Sequence, residues 1–236
     1  HLDGEGLHFI RRAVAEIGDR ALFAVLDYNY PVAVAEPSGA LRFGTDGKFK
    51  IMMINDTQDV GKNAKSETAK FIGMALDQEQ PDLVVFVGDQ LSDIYPKASK
   101  EDYKLAIDRI IKPLHERNIP FLVTLGNHDH DRANVMSEDE MFEVYTSYDN
   151  CLAVRGSTDP FTYNVPIYSK DGSVAMNIYM MDTNNKKDGG YEGIRADQLD
   201  WYNTTSAALK AANGGSARQS SRSRGLRRSH PEPLPC

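Results

Sequence analysis

The chain has little cysteine. Cys151 and Cys236 are the only two in 236 residues, too few and too far apart for a disulfide framework or a cysteine-based zinc site. No apolar run approaches the roughly 18–20 residues that a membrane-spanning helix needs, so the chain reads as soluble. A G-x-S-x-G elbow, a P-loop and a G-x-G-x-x-G fingerprint are all missing, which argues against acyl-transfer, nucleoside-triphosphate and dinucleotide chemistry. Positive charge is in the minority. A net charge of −7 and a pI near 5.4 disfavour nucleic acid as a partner for the bulk of the protein. The chain opens on His1 rather than Met, so it is expected to be a fragment or a processed form, which leaves a signal peptide and the compartment open.

With 41% apolar and 26% charged residues, the length suits one large globular domain or two small ones. The first part, residues 1–43, has no assigned role. There "GLHFIRRAVAEIG" fits a short amphipathic helix, "ALFAVLDY" a strand and "PVAVAEPSGA" a linker. From Gly44 the pattern sharpens. "KFKIMMIN" reads as a strand ending at Asp56, and "NAKSETAKFIGMALDQ" as a helix with Phe71, Met74, Ala75 and Gln78 along one face. "DLVVFV", between Pro81 and Gly88, has the continuous apolar character of a strand buried on both faces. In "KEDYKLAIDRIIKPLHERN", Tyr103, Ala106, Ile107, Ile110, Ile111 and Leu114 mark an amphipathic helix kinked or ended near Pro113.

"PFLVTL" follows as a third strand. The β-α-β-α-β order predicts parallel strands joined by right-handed crossovers. Further on, Ser137 and Glu140 form a capping box opening another helix. "FTYNVPIYSKDGSVAMNIYMMD" reads as an antiparallel hairpin about its Lys-Asp-Gly-Ser turn, and "RADQLDWYNTTSAALKAA" returns to helix. The fold class is α/β with part of the sheet antiparallel.

The last segment, residues 216–236, differs in style. It holds five arginines, no lysine and one glutamate, lacks apolar periodicity, and is expected to be disordered or out of frame rather than a nucleic-acid arm.

Three polar clusters fall at equivalent places: "NDTQD" after the first strand, "GDQLSD" after the second and "GNHDHD" after the third. In open α/β sheets the ligand crevice lies beyond the carboxyl ends of the strands, so the three should converge. Carboxylates, an amide oxygen and imidazoles together suit divalent ions such as Mn, Fe, Zn or Mg. The glycines of "GD" and "GN" let the backbone turn sharply off a strand.

These residues resemble the calcineurin-like metallophosphoesterases, whose ordered signature is D-x-H, GD, GNH-D/E, a lone His and GH-x-H. The chain shows "DTQ" at 56–58, "GD" at 88–89 and "GNHD" at 126–129, in order and spaced by βα units. The likeness covers about residues 44–215. It implies a layered α-β-β-α sandwich with mixed sheets, here C-terminally incomplete, and hydrolysis of a phosphate ester by a hydroxide bridging two divalent metal ions. By position, Asp56 would bind the first metal, Asp89 would bridge both, and Asn127 would bind the second through its amide oxygen. His128 would face the phosphoryl group, with Asp129 orienting its ring.

Three departures matter. Gln58 stands where the family has His and would be a weaker donor to the first metal. The purple acid phosphatase branch has a tyrosine three residues after the bridging Asp, and here that residue is Ser92, so no tyrosinate–ferric site is expected. The family's later histidine motifs are also absent, since after Asp182 the one histidine is His230. The resemblance therefore implies a phosphoesterase whose site is truncated in this chain, which leaves the chain's own activity open, with a non-catalytic or degenerate metal- or phosphate-binding domain as the alternative.

Plainer readings stand beside these. Asp56 and Asp89 could be strand-end turn residues, Asn127 a left-handed turn residue and His128 a partnered buried histidine. Asp59, Asp93, His130 and Asp131 read as supporting or solvated groups. His115 reads as a residue favourable to a helix C-terminus, Asp182 as structural, and Met52, Met53, Met180 and Met181 as core. Substrate, metal identity and oligomeric state stay open.

Overall fold

The computed structural model describes residues 24–28, 39–59, 66–92 and 97–212. The helix expected within residues 6–18, Asp93 and the segment 216–236 lie outside the described residues. Chain order is β1 (Ala24–Tyr28), β2 (Leu41–Arg42), β3 (Ile51–Ile54), α1 (Ser66–Glu79), β4 (Leu83–Val87), α2 (Lys100–His115) and β5 (Phe121–Thr124). It continues with α3 (Glu138–Thr146), β6 (Tyr163–Tyr168), β7 (Val174–Met180), β8 (Lys186–Lys187), β9 (Gly190–Tyr191) and α4 (Ala196–Ala212).

The expected β-α-β-α-β unit forms an all-parallel sheet in the order β3-β4-β5. A second sheet, β1-β7-β6-β2, contains the expected hairpin, with β6 and β7 antiparallel and β2 parallel to β6. Alternation along the central strand β4 assigns each side chain to a layer. Val84 and Phe86 join Ile107, Ile110, Ile111 and Leu114 in a core between the parallel sheet and its helices. Leu83 and Val85 face Ile167, Met176 and Ile178 in a core between the two sheets. On the outer side of the second sheet, Tyr179 meets Trp201 and Tyr202 of α4 edge-on. The result is the α-β-β-α sandwich, and each fully buried aliphatic side chain in it contributes about 1.5–3 kcal/mol.

The stripe expected for α2 is buried in full, and the helix ends two residues after Pro113. Both Ser99 with Asp102 and Ser137 with Glu140 form capping boxes at the starts of α2 and α3. The face expected for α1 is corrected. Ile72 and Leu76 are buried, whereas Phe71 and Met74 are 72% and 61% exposed. At about 100° per residue, the true stripe lies one position away from the expected one. Gly73 explains the orientation, because a Cβ there would lie 3.4 Å from the Arg117 guanidinium, which is bidentate to Asp77 at 2.7 and 2.8 Å.

Strand β5 lies at an edge, where Phe121 pairs with the stretch 150–152 and Val123 is met from the other layer. Tyr163 Oη donates to the Val123 carbonyl at 2.8 Å and accepts from the Val123 N–H at 3.0 Å. Thr124 Oγ1 donates to the Phe161 carbonyl at 3.2 Å. The edge is thereby closed to further strands, and the exit of β5 toward residues 126–131 is fixed. Among the described residues no helix is long and apolar enough to cross a membrane.

Candidate metal centre

The loops leaving β3, β4 and β5 are knitted together, as their position at the carboxyl ends of parallel strands predicts. Asp56 N–H donates to the Gly88 carbonyl at 3.2 Å, Gln58 N–H to the Asp89 carbonyl at 3.1 Å and Asp59 N–H to the Gln90 carbonyl at 2.9 Å. The other side of the β4 loop touches the β5 loop through its glycines. A Cβ on Gly88 would lie 2.8 Å from the Gly126 backbone, and a Cβ on Gly126 would lie 2.4 Å from Asp89 Oδ1. Neither approach tolerates a side chain.

Asp56, Gln58 and Asp89 all adopt left-handed backbone conformations, with φ of 53°, 42° and 56°. Each costs energy for a non-glycine residue. Three such residues stand in two adjoining loops, while Gln80, Asn118, Asn184 and Asp188 adopt the same conformation elsewhere. Asp89 Oδ1 accepts the His128 N–H at 2.9 Å, so the carboxylate from one strand end fixes the backbone of the next. Asp56 Oδ2 accepts from Asn55 Nδ2 at 2.6 Å, while Gln58 Nε2 lies 3.4 Å from Asp56 Oδ1.

The role expected of Asp129 is corrected. Its carboxylate does not reach the His128 ring but accepts three backbone N–H groups, from Asp89 and Gly126 at 2.8 Å each and from Leu91 at 2.9 Å. It is a buried clip between the β4 and β5 loops. Burial pushes its pKa up to about 7, against the lowering effect of the Gly126 and Leu91 N–H groups. The His128 ring is held instead by Asp131, whose Oδ2 lies 2.6 Å from His128 Nδ1. This contact spans one turn of the irregular stretch after β5, where spacing alone does not say which aspartate faces the ring.

The loops that these bonds hold together carry the expected donors, the carboxylates Asp56 and Asp89 and the amides Gln58 and Asn127. An all-oxygen set of this kind fits a hard divalent cation. Asn127 Nδ2 is buried without a hydrogen-bond partner, so no hydrogen bond through that nitrogen ties its amide elsewhere. The fit leans on the amides, because among the described residues the sole grouping of three His, Cys, Asp or Glu ligands lies elsewhere.

That grouping is His130, Glu138 and Asp182, of which His130 reads from the sequence as a supporting or solvated group and Asp182 as structural. His130 Nε2 lies 2.9 Å from Asp182 Oδ1, and His130 Nδ1 lies 3.3 Å from Glu138 Oε1. Burial alone would lower the pKa of His130, but the two carboxylates outweigh it and hold the ring at about 10. The available signal was Asp182, a carboxylate ending an apolar strand as Asp56 and Asp89 end theirs. Near it, Gln198 and Asn184 are buried and bonded to each other and to the Asp182 carbonyl, so "MMDTN" and the start of α4 are locked as one unit. Ser92 is buried, with its carbonyl accepting from Tyr103 Oη at 3.2 Å.

The chain is 28% identical over 203 residues to a protein of Arabidopsis thaliana named probable inactive purple acid phosphatase 14, covering 72% of this chain and 49% of that protein. It is 28% identical over 217 residues to probable inactive purple acid phosphatase 28 of the same plant, covering 77% and 54%. Phosphatase DCR2 of Saccharomyces cerevisiae is 32% identical over 122 residues, 45% of this chain and 21% of that protein. The chain thus spans about half the length of the first two of these relatives. The profile of the calcineurin-like phosphoesterase family matches residues 49–219, and the chain belongs to that family.

Proposed function

We propose that the chain hydrolyses a phosphate ester in a divalent-metal-dependent reaction at the strand-end loops. The observation that supports this reading is the direct link between Asp89 and the backbone of His128 at 2.9 Å, which ties the strand-end loop of the candidate metal carboxylate to the loop of the candidate substrate-facing histidine. In this assignment Asp56 and Gln58 would hold one ion and Asn127 a second, with Asp89 contributing to both. Divalent ions so bound would supply Lewis-acid activation of water and neutralise charge on the phosphate. His128, with Nδ1 engaged by Asp131, keeps Nε2 for the phosphoryl oxygens or for protonating the leaving oxygen. Asp129 acts on the site only through the loops it clips.

Turnover of an aryl phosphate by the full chain tests this proposal. Metal-dependent hydrolysis that Asp89→Asn abolishes supports it, whereas a folded chain with no turnover in Mn, Fe, Zn or Mg overturns it. A second reading, a metal- or phosphate-binding domain without catalysis, draws on Gln58 in place of the family's His and on relatives named as probably inactive. It expects ion binding without turnover.

A further inference from the structure

We propose that His130 and Asp182 form another metal site, of mixed nitrogen and oxygen donors, that takes a borderline divalent transition ion such as Zn or Co. It shares no ligand with the four oxygen donors assigned above. The ligand atoms of His130, Glu138 and Asp182 all lie within 4.8 Å of one another, and they come from three elements: the stretch after β5, the first residue of α3 and the residue two past the end of β7. The His130 and Asp182 side chains are 5% and 0% exposed, and Glu138 is 36% exposed.

Charge and valence both point to an ion. With a protonated ring the trio carries one excess negative charge in a largely buried place, which is costly. Asp159 adds another negative charge acting on Asp182, itself paired with Arg195 at 3.2 Å. A divalent ion that replaces the Nε2 proton, with that proton released to solvent, brings the trio to neutrality. Independently, Asp182 Oδ2 is buried and has no hydrogen-bond partner, although Oδ1 of the same carboxylate accepts from the Asn184 N–H at 2.7 Å. An orphaned, fully buried carboxylate oxygen is expensive unless something electropositive meets it.

Glu138 completes the arrangement from the far side of the ring. It faces Nδ1 at 3.3 Å, where it accepts the remaining N–H and leaves Nε2 as the ligating nitrogen, the carboxylate–histidine–metal order found where a protein orients an imidazole on a metal. Mixed nitrogen and oxygen donors select Zn, Co or Fe over Mg or Ca. An ion there would fasten the stretch carrying His128 to the second sheet.

The test is titration of the EDTA-stripped full chain with Zn alone, followed by calorimetry and by the ring-nitrogen NMR signals of His130. In the unaltered chain Nε2 is expected to move to a metal-bound position while Nδ1 keeps its proton. Asp89→Asn is expected to retain one Zn equivalent that His130→Gln and Asp182→Asn lose. A His130 ring unmoved at saturating Zn overturns the proposal, and so does a folded His130→Gln chain that binds as many equivalents as the parent. The NMR reading needs no variant, so it decides the matter even where a substitution unfolds the chain.

Discussion

Asp131 Oδ2 lies 2.6 Å from His128 Nδ1, while Asp129, one residue from that histidine, turns away and accepts the backbone N–H groups of Asp89, Leu91 and Gly126. Two aspartates two positions apart therefore divide the work, one orienting a ring and the other holding two loops together. Asp131→Asn is expected to lower turnover about 10–100-fold, as loss of an orienting carboxylate commonly does, with little change in the urea midpoint. Steady-state kinetics beside denaturation curves check it, and a variant with full activity would remove Asp131 from the site.

Gly126→Ala addresses the close approach of the loops. The new methyl would lie 2.4 Å from Asp89 Oδ1, so the loops must part, at a cost of about 1–3 kcal/mol together with weaker metal binding. A urea midpoint equal to that of the parent chain would show that the contact yields without strain.

Gln58→His tests the departure from the family pattern. Histidine is among the residues that tolerate the left-handed conformation present at position 58, and imidazole is the stronger donor to borderline ions. Zn or Mn affinity is expected to rise by about tenfold or more. Calorimetric titration reads it, and an unchanged affinity would place Gln58 outside the metal shell.

His130 gives the metal-free protein a pH dependence. Its folded pKa of about 10 lies above the ordinary 6.5 because Asp182 and Glu138 outweigh the opposing effect of burial. The folded chain thus holds this proton more tightly than the unfolded one. The resulting stabilisation is fully present below pH 6.5 and is lost as pH rises through 10. Urea midpoints of the EDTA-treated chain should fall across that window, and His130→Gln should flatten the fall. A parallel decline in both chains would assign the effect to other groups.

The buried face of α1 is open to a direct comparison. Leu76→Ala is expected to cost about 2–5 kcal/mol, whereas Phe71→Ser, at a position 72% exposed, should stay within about 0.5 kcal/mol. Equal losses would return Phe71 to the core.

Legibility followed the reach of the interactions. The α2 stripe, the β4 run and the β6–β7 hairpin were readable because burial on one or both faces writes itself into spacing along a short stretch. The α1 face was misread by one position, since "FIGMAL" offers apolar residues on neighbouring faces and Gly73 against Arg117 selects between them. Asp56, Asp89, Asn127 and His128 could be named from ordered short motifs at strand ends. Asp131, Glu138 and Asp182 could not be given their contacts, because these depend on how an irregular stretch folds back on itself and on a distant strand.

Local periodicity and turn chemistry act within a few residues, and they suffice to specify the parallel β-α-β-α-β unit, the hairpin and the strand-end placing of the polar clusters. Which carboxylate serves which histidine is a matter of packing. Those pairings join residues brought together by sheet packing and loop closure, and a buried charge takes the partner that the packing delivers.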